Sequence, residues 1–432
     1  MSVCGASIIQ VPSDYANIQD ALNAASEGDT VKVSPGVYYE NIKWPSTDGI
    51  QLLGTGEDTV IDGGQAGHVI ELSKNFIGTI SNKTLISNFT ITNGKHFDGR
   101  GGGIYCKNTN PCLSNLVIEG NYANSTGGGF FAIDSNPELS NSVIKGNYAN
   151  STLHGGAGIS IMYSNLKLKN VVIQENTSAR HGGGIYSTDS ELNATNILIV
   201  KNFSKDSGGG IYSLDSTINL ANATIHSNST NANQGVNAGG TILISSNSSI
   251  VNSIIWDNSD YDIIFYCSSE GYSLKVEYSN IKGGKKAIGL VTDYSMNKVK
   301  WLDGNLITNP SFVDPESDDY HLSKDSQCID AGHPDYDSDG ITWENDVDDQ
   351  DEIGTRMDMG YMYPAPEVIL HSISGRTTSN GVGVSSVEIS FLNQKVITNN
   401  EGQFTIHNIP QNSEGKVTAL KKGYNFIPTY IF

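Results

Sequence analysis

A single isoleucine recurs in short polar segments along the middle of the chain, at a nearly constant spacing. Each segment has the pattern N-x-x-I-x-x-N, and the six segments begin at Asn115, Asn141, Asn170, Asn196, Asn222 and Asn252. The intervals between them are 26, 29, 26, 26 and 30 residues. One invariant apolar position among polar ones predicts a short strand in which that side chain faces the interior. The flanking asparagines are typical of turns. A repeat of this length predicts stacked units rather than one globular core.

Glycine triplets precede most of these segments. They lie at 101–103, 127–129, 182–184 and 208–210, with a looser copy from Gly155 to Ile159 and a degenerate one around Gly239 and Gly240. Glycine costs about 1 kcal/mol inside a helix but permits tight corners and close approach of two backbones. The pattern therefore predicts an all-β fold, a right-handed parallel β-helix whose isoleucines and asparagine amides stack at about 4.8 Å. A β-propeller is the competing architecture, but its repeats run to about 40 residues.

The N-terminal residues predict a cap for the first coil, because an open solenoid end exposes apolar side chains and a strand edge. Asn17 and Asp20 have the spacing of a capping box, so we expect a short helix from residue 18, followed by a strand at 30–33. The stretch from Ile18 to Gly64, with IQDALNAASEGDTVKVSPGVYYENI and LLGTGEDTVIDGG, resembles the opening of pectinesterase-like and pectate-lyase-like β-helix proteins. Many β-helices of different activity share it, so the resemblance implies the fold rather than a reaction.

The sequence divides into four regions. We expect the N-terminal cap and first coils at 1–60, further coils at 61–308, an acidic capping segment at 309–363 and a small β-sandwich at 367–432. The third region begins NPSFVDPESDDYHLSKDSQCIDAGHPD and closes on DMGY. It resembles the closing segment of many secreted bacterial and archaeal β-helix proteins, which implies the last irregular coils and a C-terminal cap.

The fourth region follows a predicted linker, Pro364-Ala365-Pro366. Its segments ISGRTTSNGVGVSSVEISF, VITNNEGQFTIHNIP and KKGYNFIPTYIF resemble a carboxypeptidase-regulatory-like or prealbumin-like β-sandwich. Members of that family usually carry one more strand after a motif found here at 423–428, so we expect the last strand to be missing. Truncation or cleavage is one explanation, and an edge that receives a strand from a partner is the other.

The charge of the chain restricts which kinds of molecule can be its binding partner. The formal net charge is −20, and 17 acidic and two basic residues between Pro310 and Glu367 supply −15 of it. Without a basic face to neutralise phosphates, we expect no nucleic-acid partner. No apolar run reaches the length of a membrane span, so no transmembrane segment is expected. The start shows no signal peptide, yet the family resemblances are to exported proteins; we therefore expect an exported protein whose leader is not part of this chain.

Two covalent modifications are predicted. Cys106 and Cys112 are close enough in sequence to close a small disulfide loop. Among the N-x-S/T triplets, Asn124 and Asn150 lie in predicted turns and are the expected glycosylation sites if the source glycosylates asparagine. Several other triplets involve repeat asparagines, which a ladder would sequester.

The acidic region contains the motif D-x-D-x-D-G, beginning at Asp335. It resembles a calcium loop, in which oxygens from positions 1, 3, 5, 7 and 12 bind a hard cation. The predicted ligands are Asp335, Asp337, Asp339, Ile341 and Asp346, and we expect one structural Ca²⁺. The usual twelfth residue is a bidentate Glu and the flanking helices are missing, so a solvated acidic loop that binds no ion is the alternative.

Charged residues vary from repeat to repeat just before the glycine triplets. Stacking would bring onto one side of neighbouring coils Arg100, His154, Arg180, His181, Lys205 and Asp206. Polysaccharide lyases need such a mixture: a cation for the uronate carboxylate, a base for proton abstraction and an acid for the leaving group. Turns that project polar side chains into solvent without a function are the alternative. The last five of these residues are the candidate catalytic groups.

Stacking predicts two further columns. The first is aromatic and consists of Tyr105, Phe131, Tyr186 and Tyr212. Facing outward, it would be a platform for sugar rings; facing inward, it would be core, and the sequence leaves the direction open. In the second, Asp189 and Asp215 fall on adjacent coils, about 5 Å apart, as in a retaining glycosidase. Each is followed by Ser in a context typical of turns, which is the preferred interpretation.

Two functions remain open. The glycine–asparagine repeats resemble those of chlamydial polymorphic outer-membrane proteins, which are adhesins. The preferred hypothesis is therefore an extracellular or cell-surface rod that binds a glycan or copies of itself without catalysis. The alternative is a lyase, hydrolase or epimerase acting on uronic-acid-containing polysaccharides, although no catalytic signature of pectinesterases, pectate lyases or polygalacturonases is recognisable after the cap.

Overall fold

The computed structural model describes residues 6–75, 80–97, 99–231, 238–267, 270–290, 298–337, 339–351, 354–362, 370–379, 381–391, 394–410, 417–424 and 426. The chain divides into two compact units, Met1–Met362 and Tyr363–Phe432. The first unit is a right-handed parallel β-helix of about 10 turns, which confirms the predicted fold and excludes the propeller.

Three parallel sheets, called A, B and C, form the faces of the solenoid. Sheet A contains Ile8–Val11, Thr30–Val33, Gly36–Tyr39, Gln51–Leu53, Thr59–Asp62, Leu85–Thr92, Cys112–Glu119, Glu138–Lys145, Asn165–Gln174, Glu191–Val200, Thr217–His226, Asn247–Val251, Ile254–Trp256, Ser273–Glu277, Asn280–Ile281 and Val299–Trp301. Sheet B contains Ile42–Lys43, Ile70–Ser73, Ile104–Lys107, Phe130–Ile133, Ile159–Met162, Ile185–Thr188, Ile211–Leu214, Ala238–Ile244, Tyr261–Tyr266 and Gly289–Leu290. Sheet C contains the short strands Lys95–His96, Tyr122–Ala123, Tyr148–Ala149, Thr177–Ser178, Phe203–Ser204 and Ser229–Thr230.

The repeat isoleucines form one buried column in sheet A. The strand register pairs each with the next, and all six are completely buried: Ile118, Ile144, Ile173, Ile199, Ile225 and Ile255. The first asparagine of each segment has a left-handed backbone, φ 52° at Asn115 and 55° at Asn170, and all but Asn252 lie within the strand that carries the isoleucine. Asparagine adopts that conformation more readily than most residues, which explains why this position is asparagine in every segment.

The last asparagines of the segments form a buried hydrogen-bonded ladder, as predicted. At a representative step, the backbone N–H and the Nδ2 of Asn147 both donate to Oδ1 of Asn176, each at 3.0 Å. Nδ2 of Asn147 also donates to the carbonyl of Ile118, at 2.9 Å. The same pattern runs through Asn121, Asn147, Asn176, Asn202, Asn228 and Asn258.

The N-terminal cap is an α-helix at Ile18–Ala24, which confirms the predicted element. Oδ1 of Asn17 accepts the N–H of Asp20 at 2.8 Å, so Asn17 caps the helix. The carboxylate of Glu40 accepts the N–H groups of Ile18 and Gln19 at 2.8 and 2.9 Å. Glu40 thus supplies an anion from the neighbouring strand to the positive end of the helix, a contact that the local pattern does not reveal.

Residues 309–362, here called the return segment, lie along the flank of the solenoid. The segment includes the antiparallel pair Phe312–Asp314 and Asp319–Leu322 and the 3₁₀ turns Pro315–Ser317 and Val347–Asp349; a further 3₁₀ turn, Gly284–Ala287, precedes it. Its backbone reaches successively earlier coils through three repeat asparagines. The contacts are His333 N–H to Asn252 Oδ1 at 2.6 Å, Asn222 Nδ2 to Asp358 O at 3.0 Å, and Met362 N–H to Asn196 Oδ1 at 2.7 Å.

The second unit contains small antiparallel sheets. The pairs are Leu370–Arg376 with Gln403–Pro410, Thr378–Ser379 with Val382–Gly383, and Glu388–Phe391 with both Gln394–Ile397 and Thr418–Leu420. Val387, Ile389 and Ile406 form its buried centre. The β-sandwich family stays a prediction. The predicted linker at 364–366 and half of the motif at 423–428 lie outside the described residues.

The predicted Cys106–Cys112 disulfide is wrong in this structure, where both residues are free thiols. Cys106 points from sheet B into the interior and is completely buried, whereas Cys112 begins a strand of sheet A and is half-buried. The two side chains therefore belong to different faces of one coil. Burial raises the pKa of Cys106 to about 12, so its thiol is unreactive at neutral pH.

In the part of the chain that the structure describes, we find no helix that is long and apolar enough to cross a membrane.

Candidate functional site

The charged residues before the glycine triplets meet on the outer side of sheet B. Nε of Arg180 lies 3.1 Å from Nε2 of His181 and 3.5 Å from Oδ2 of Asp206 on the next coil. Its terminal NH1 donates to the carbonyl of Thr152 on the preceding coil. Arg180 is therefore a clamp across three coils. Lys205 is exposed and lies outside this network.

The two histidines of this cluster are held neutral. Burial, with the adjacent Arg180, lowers the pKa of His181 to about 4. Burial and the charges of Arg100 and Arg180 also lower the pKa of His154. Nε2 of His181 accepts the Arg180 hydrogen bond, and its Nδ1 is buried without a partner among the described residues. His181 thus has no accessible nitrogen to serve as a base.

The aromatic column faces outward from sheet B but is covered. Tyr105 stacks on Phe131 at 5.5 Å between ring centroids, and Tyr186 stacks on Tyr212 at 5.6 Å. Ser160 occupies the coil between Phe131 and Tyr186 and interrupts the column. Phe131 and Tyr186 are only 0 % and 4 % exposed, so these two rings offer no open face for a sugar.

Several cluster residues cover these rings. The guanidinium of Arg100 lies 5.4 Å from the centroid of Phe131, and His154 meets Tyr186 edge-on at 6.0 Å. Nδ1 of His154 lies 3.5 Å from the Tyr186 hydroxyl. Burial raises the pKa of Tyr186 to about 12, so its hydroxyl is neutral at physiological pH. The cluster and the column therefore form one packed layer.

The second predicted column lies at coil corners. Asp189 and Asp215 have left-handed backbones, φ 48° and 49°. Aspartate is one of the residues that tolerate this conformation in turns, in agreement with the turn interpretation. The two predicted glycosylation sites lie at another corner, both exposed, with Asn150 Nδ2 3.3 Å from Asn124 Oδ1; their modification stays a prediction.

The acidic loop forms two overlapping oxygen clusters. In the first, oxygens of Asp335, Asp337 and Asp349 lie within 4.8 Å of one another, and in the second so do those of Asp337, Asp339 and Asp346. Three of the five predicted ligands, Asp337, Asp339 and Asp346, thus lie in one cluster, and Asp335 lies with Asp337 in the other. The fifth, Ile341, is exposed, and its N–H donates to Oδ1 of Asp339 at 2.7 Å. Asp349 lies outside the loop motif, and sequence reasoning missed it.

Sequence reasoning also missed a polar groove at the corner between sheets B and A. It has a volume of about 400 Å³ and is lined by Ser81, Asn82, Asn110, Asn136, Glu138, Asn165 and Lys167. Its signal is present in the sequence, because Asn110, Asn136 and Asn165 recur at the period of the main repeat. Both Asn110 and Asn136 precede proline, a context that is typical of turns and does not by itself indicate binding.

The groove asparagines are oriented by the backbone of the next coil. Oδ1 of Asn110 accepts the N–H of Asn136 at 2.6 Å, and Oδ1 of Asn136 accepts the N–H of Asn165 at 3.1 Å. Among the described residues, the Nδ2 groups of Asn110 and Asn136 make no hydrogen bond. Fixing the oxygens leaves the amide donors available to a ligand. At the rim, Lys167 pairs with Glu138 at 2.8 Å, with 63 % and 43 % of their side chains exposed.

The sequence comparison agrees with this architecture. Residues 157–313 match the family model described as a right-handed β-helix region. The comparison with curated proteins gave no match to this chain.

Solved structures with a similar fold include three polysaccharide-related proteins. Pectate lyase Pel9A is 11 % identical with a TM-score of 0.39, over 84 % of this chain and 97 % of that one. The pectin methylesterase from Yersinia enterocolitica is 10 % identical with a TM-score of 0.31, over 66 % and 96 %. The tailspike protein gp49 from Acinetobacter baumannii bacteriophage Fri1, a capsular polysaccharide depolymerase, is 11 % identical with a TM-score of 0.33, over 96 % and 81 %. Similarity at this level does not indicate a shared activity.

Proposed function

We propose that this chain is an extracellular or cell-surface β-helix protein that binds a glycan, without catalysis, through the groove at the corner of sheets B and A. The observation that carries the proposal is the pair of amide donors in that groove. Asn110 and Asn136 present Nδ2 groups on adjacent coils, about 4.8 Å apart, with their oxygens already occupied. Hydroxyl and carboxylate oxygens of an extended sugar chain are suitable acceptors for such a pair of donors.

The rim of the groove favours an acidic or strongly polar glycan. The Lys167–Glu138 pair is exposed, and such pairs contribute about 0–1 kcal/mol, so a ligand carboxylate can replace Glu138 at little cost. Because Phe131 and Tyr186 offer no open aromatic face, we place glycan binding in this groove rather than on sheet B. Copies of the same chain are the other partner considered, and sedimentation with and without glycan distinguishes the two.

The groove is tested by Asn136→Asp. Aspartate keeps the oxygen that accepts the Asn165 N–H but replaces the amide donor by an acceptor. We expect affinity for the bound polysaccharide to fall at least about tenfold, equivalent to about 1.4 kcal/mol, in titration calorimetry after a glycan-array screen. The matched control is Asn150→Asp, an exposed asparagine at another corner, in protein from a host that does not glycosylate asparagine. Equal affinity of Asn136→Asp and the unmodified chain would contradict the groove assignment.

A polysaccharide-active enzyme, a lyase, hydrolase or epimerase on uronic-acid-containing glycans, is the second candidate. The observation favouring it is the environment of His154, where burial and the nearby charges of Arg100 and Arg180 lower the pKa of the imidazole. A neutral base beside cations that stabilise a uronate carboxylate is the arrangement that proton abstraction needs. His181, whose nitrogens are engaged or buried, would orient Arg180 instead.

The enzyme candidate predicts that uronic-acid polymers yield unsaturated, shortened or epimerised products. His154→Gln should then abolish turnover, and Lys32→Gln, an exposed lysine of the first coils that is not a candidate catalytic group, should preserve it. Absorbance of unsaturated products, reducing-end assays and NMR of the polymer together cover the three reactions. If none of the polymers changes in contact with the full chain, the non-catalytic proposal remains.

The acidic loop is assigned a structural Ca²⁺. The two overlapping oxygen clusters that share Asp337 support it, because Ca²⁺ takes oxygen ligands from flexible acidic loops. The ion would neutralise like charges that otherwise repel one another within the loop.

A further inference from the structure

Asp349 lies beneath the acidic loop, and its carboxylate is the most enclosed of the cluster. Its side chain is 0 % exposed. Oδ1 accepts the N–H of Tyr336 at 2.5 Å, whereas Oδ2 is buried and has no hydrogen-bond partner in the described part of the chain. A buried carboxylate oxygen with neither a hydrogen-bond donor nor a counter-charge is strongly unfavourable, so Oδ2 favours a cation as its partner.

The neighbouring carboxylates face the same point. Oxygens of Asp335, Asp337 and Asp349 lie within 4.8 Å of one another. Oδ1 of Asp335 is also buried without a partner among the described residues, since the Gly340 N–H is bound by its other oxygen at 3.2 Å. Ca²⁺ takes ligand oxygens at about 2.3–2.6 Å, which suits oxygens with this separation around one ion.

We propose that a Ca²⁺ ion is bound between Asp335, Asp337 and Asp349 and fastens the return segment to the flank of the solenoid. The proposal rests on the calcium assigned above but changes its ligand set. Asp349, which is outside the loop motif, closes the site on the buried side. Asp339 and Asp346 lie on the more exposed side of Asp337.

The ion would act on the return segment because the loop lies between two stretches docked on the same asparagine. Before the loop, the His333 N–H donates to Oδ1 of Asn252 at 2.6 Å. After it, the Gly360 N–H donates to the carbonyl of Asn252 at 2.6 Å, and the Met357 N–H donates to the carbonyl of Asp349 at 3.3 Å. An ion that joins the two ends of the loop reduces the freedom of the chain between these anchors, and so stabilises both contacts.

The ligand assignment is tested by titrating the full chain with Ca²⁺ in a calorimeter. We expect at least one ion per chain, and we expect Asp349→Asn to weaken its binding at least about a hundredfold, because a buried charged ligand is lost while the acceptor for the Tyr336 N–H is kept. The matched control is Asp325→Asn, an exposed position of the same segment with the same change of charge. It should leave the affinity unchanged.

The fastening is tested by limited proteolysis of the return segment in Ca²⁺ and in chelator. We expect cleavage of the unmodified chain to slow at least about tenfold in Ca²⁺. Asp349→Asn should show no calcium response, and in chelator it should be cleaved more slowly than the unmodified chain, because the uncompensated buried charge is gone. A purely structural role of Asp349 predicts the opposite order in chelator.

The outcomes separate the two assignments. If the full chain binds no Ca²⁺, both the loop assignment and this proposal are wrong. If it binds Ca²⁺ and Asp349→Asn binds equally well, the loop assignment survives and Asp349 is not a ligand. If the affinity falls but calcium does not protect the segment, the fastening is wrong.

Discussion

Replacing Gly183 by alanine is expected to prevent the central coils from stacking, with a loss of about 4 kcal/mol or more of unfolding free energy, or no soluble protein. A Cβ at Gly183 would lie 2.5 Å from the carbonyl oxygen of Gly209 on the next coil and 2.5 Å from that of Phe203. Both neighbours are backbone atoms held in the coil, so neither can rotate away as a side chain could. The strain is then comparable with overpacking of a dense core, at two backbone contacts with the next coil.

Gly146→Ala is the matched control. Gly146 has a left-handed backbone, φ 62°, and no atom lies within 4 Å of a Cβ placed there. Its replacement should therefore cost only the conformational term, about 1–2 kcal/mol. Soluble yield and thermal midpoints of the two variants give the measurement. Equal stability would mean that the coils can widen at the glycine triplet, and that the triplet is not required by close approach.

This contrast explains why so much of the fold could be predicted from sequence. The positions that repeat are those at which stacking leaves one solution: Ile173 fills the interior, Asn176 bonds the next coil, and the middle glycine has no room for a Cβ. Each requirement recurs at every coil, so the same residue type recurs at the corresponding position of each repeat. A physical constraint that recurs in every repeat is therefore detectable as a periodic pattern in the sequence.

The return segment could not be predicted in the same way. Its anchors, Asn196, Asn222 and Asn252, already have a reason to be asparagine, since all have left-handed backbones, φ 50° to 54°. Their outward amides also bind the return segment. Because the left-handed backbone already accounts for an asparagine at each of these positions, the sequence gives no sign of this second role. The segment itself is irregular, so it carries no period that would locate its partners.

For the candidate site, the sequence predicts which residues are neighbours but not which of their atoms are available for chemistry. Stacking brought Arg180, His181 and Asp206 together as the repeat alignment predicts. The alignment could not show that Arg180 occupies Nε2 of His181, or that Nδ1 of His181 is buried. Those orientations depend on a few ångströms of loop geometry, and they decide whether a histidine is a base or part of a packed layer.

The second large effect is expected from Asn176→Leu, which should remove about 4 kcal/mol or more of unfolding free energy. Oδ1 of Asn176 accepts two hydrogen bonds from Asn147, and its Nδ2 donates to the carbonyl of Ile144 and to Oδ1 of Asn202, all at 2.9–3.0 Å. Leucine fills a similar volume but cannot form these hydrogen bonds, so buried polar groups on the preceding and following coils lose their partner. Each such group costs about 1–3 kcal/mol, so the losses add up within one coil.

The control for this variant is Asn150→Ala, an exposed corner asparagine whose amide makes one 3.3 Å contact with Asn124, expected to cost about 0.5 kcal/mol or less. Chemical denaturation followed by circular dichroism measures the total loss. Hydrogen exchange locates it, because the N–H groups of Asn147 and Asn176 lie on either side of the replaced amide and should exchange faster than those of distant coils. If Asn176→Leu were as stable as Asn150→Ala, the ladder would be a consequence of stacking rather than a cause of it. The isoleucine column and the backbone bonds between coils would then have to hold the solenoid together alone.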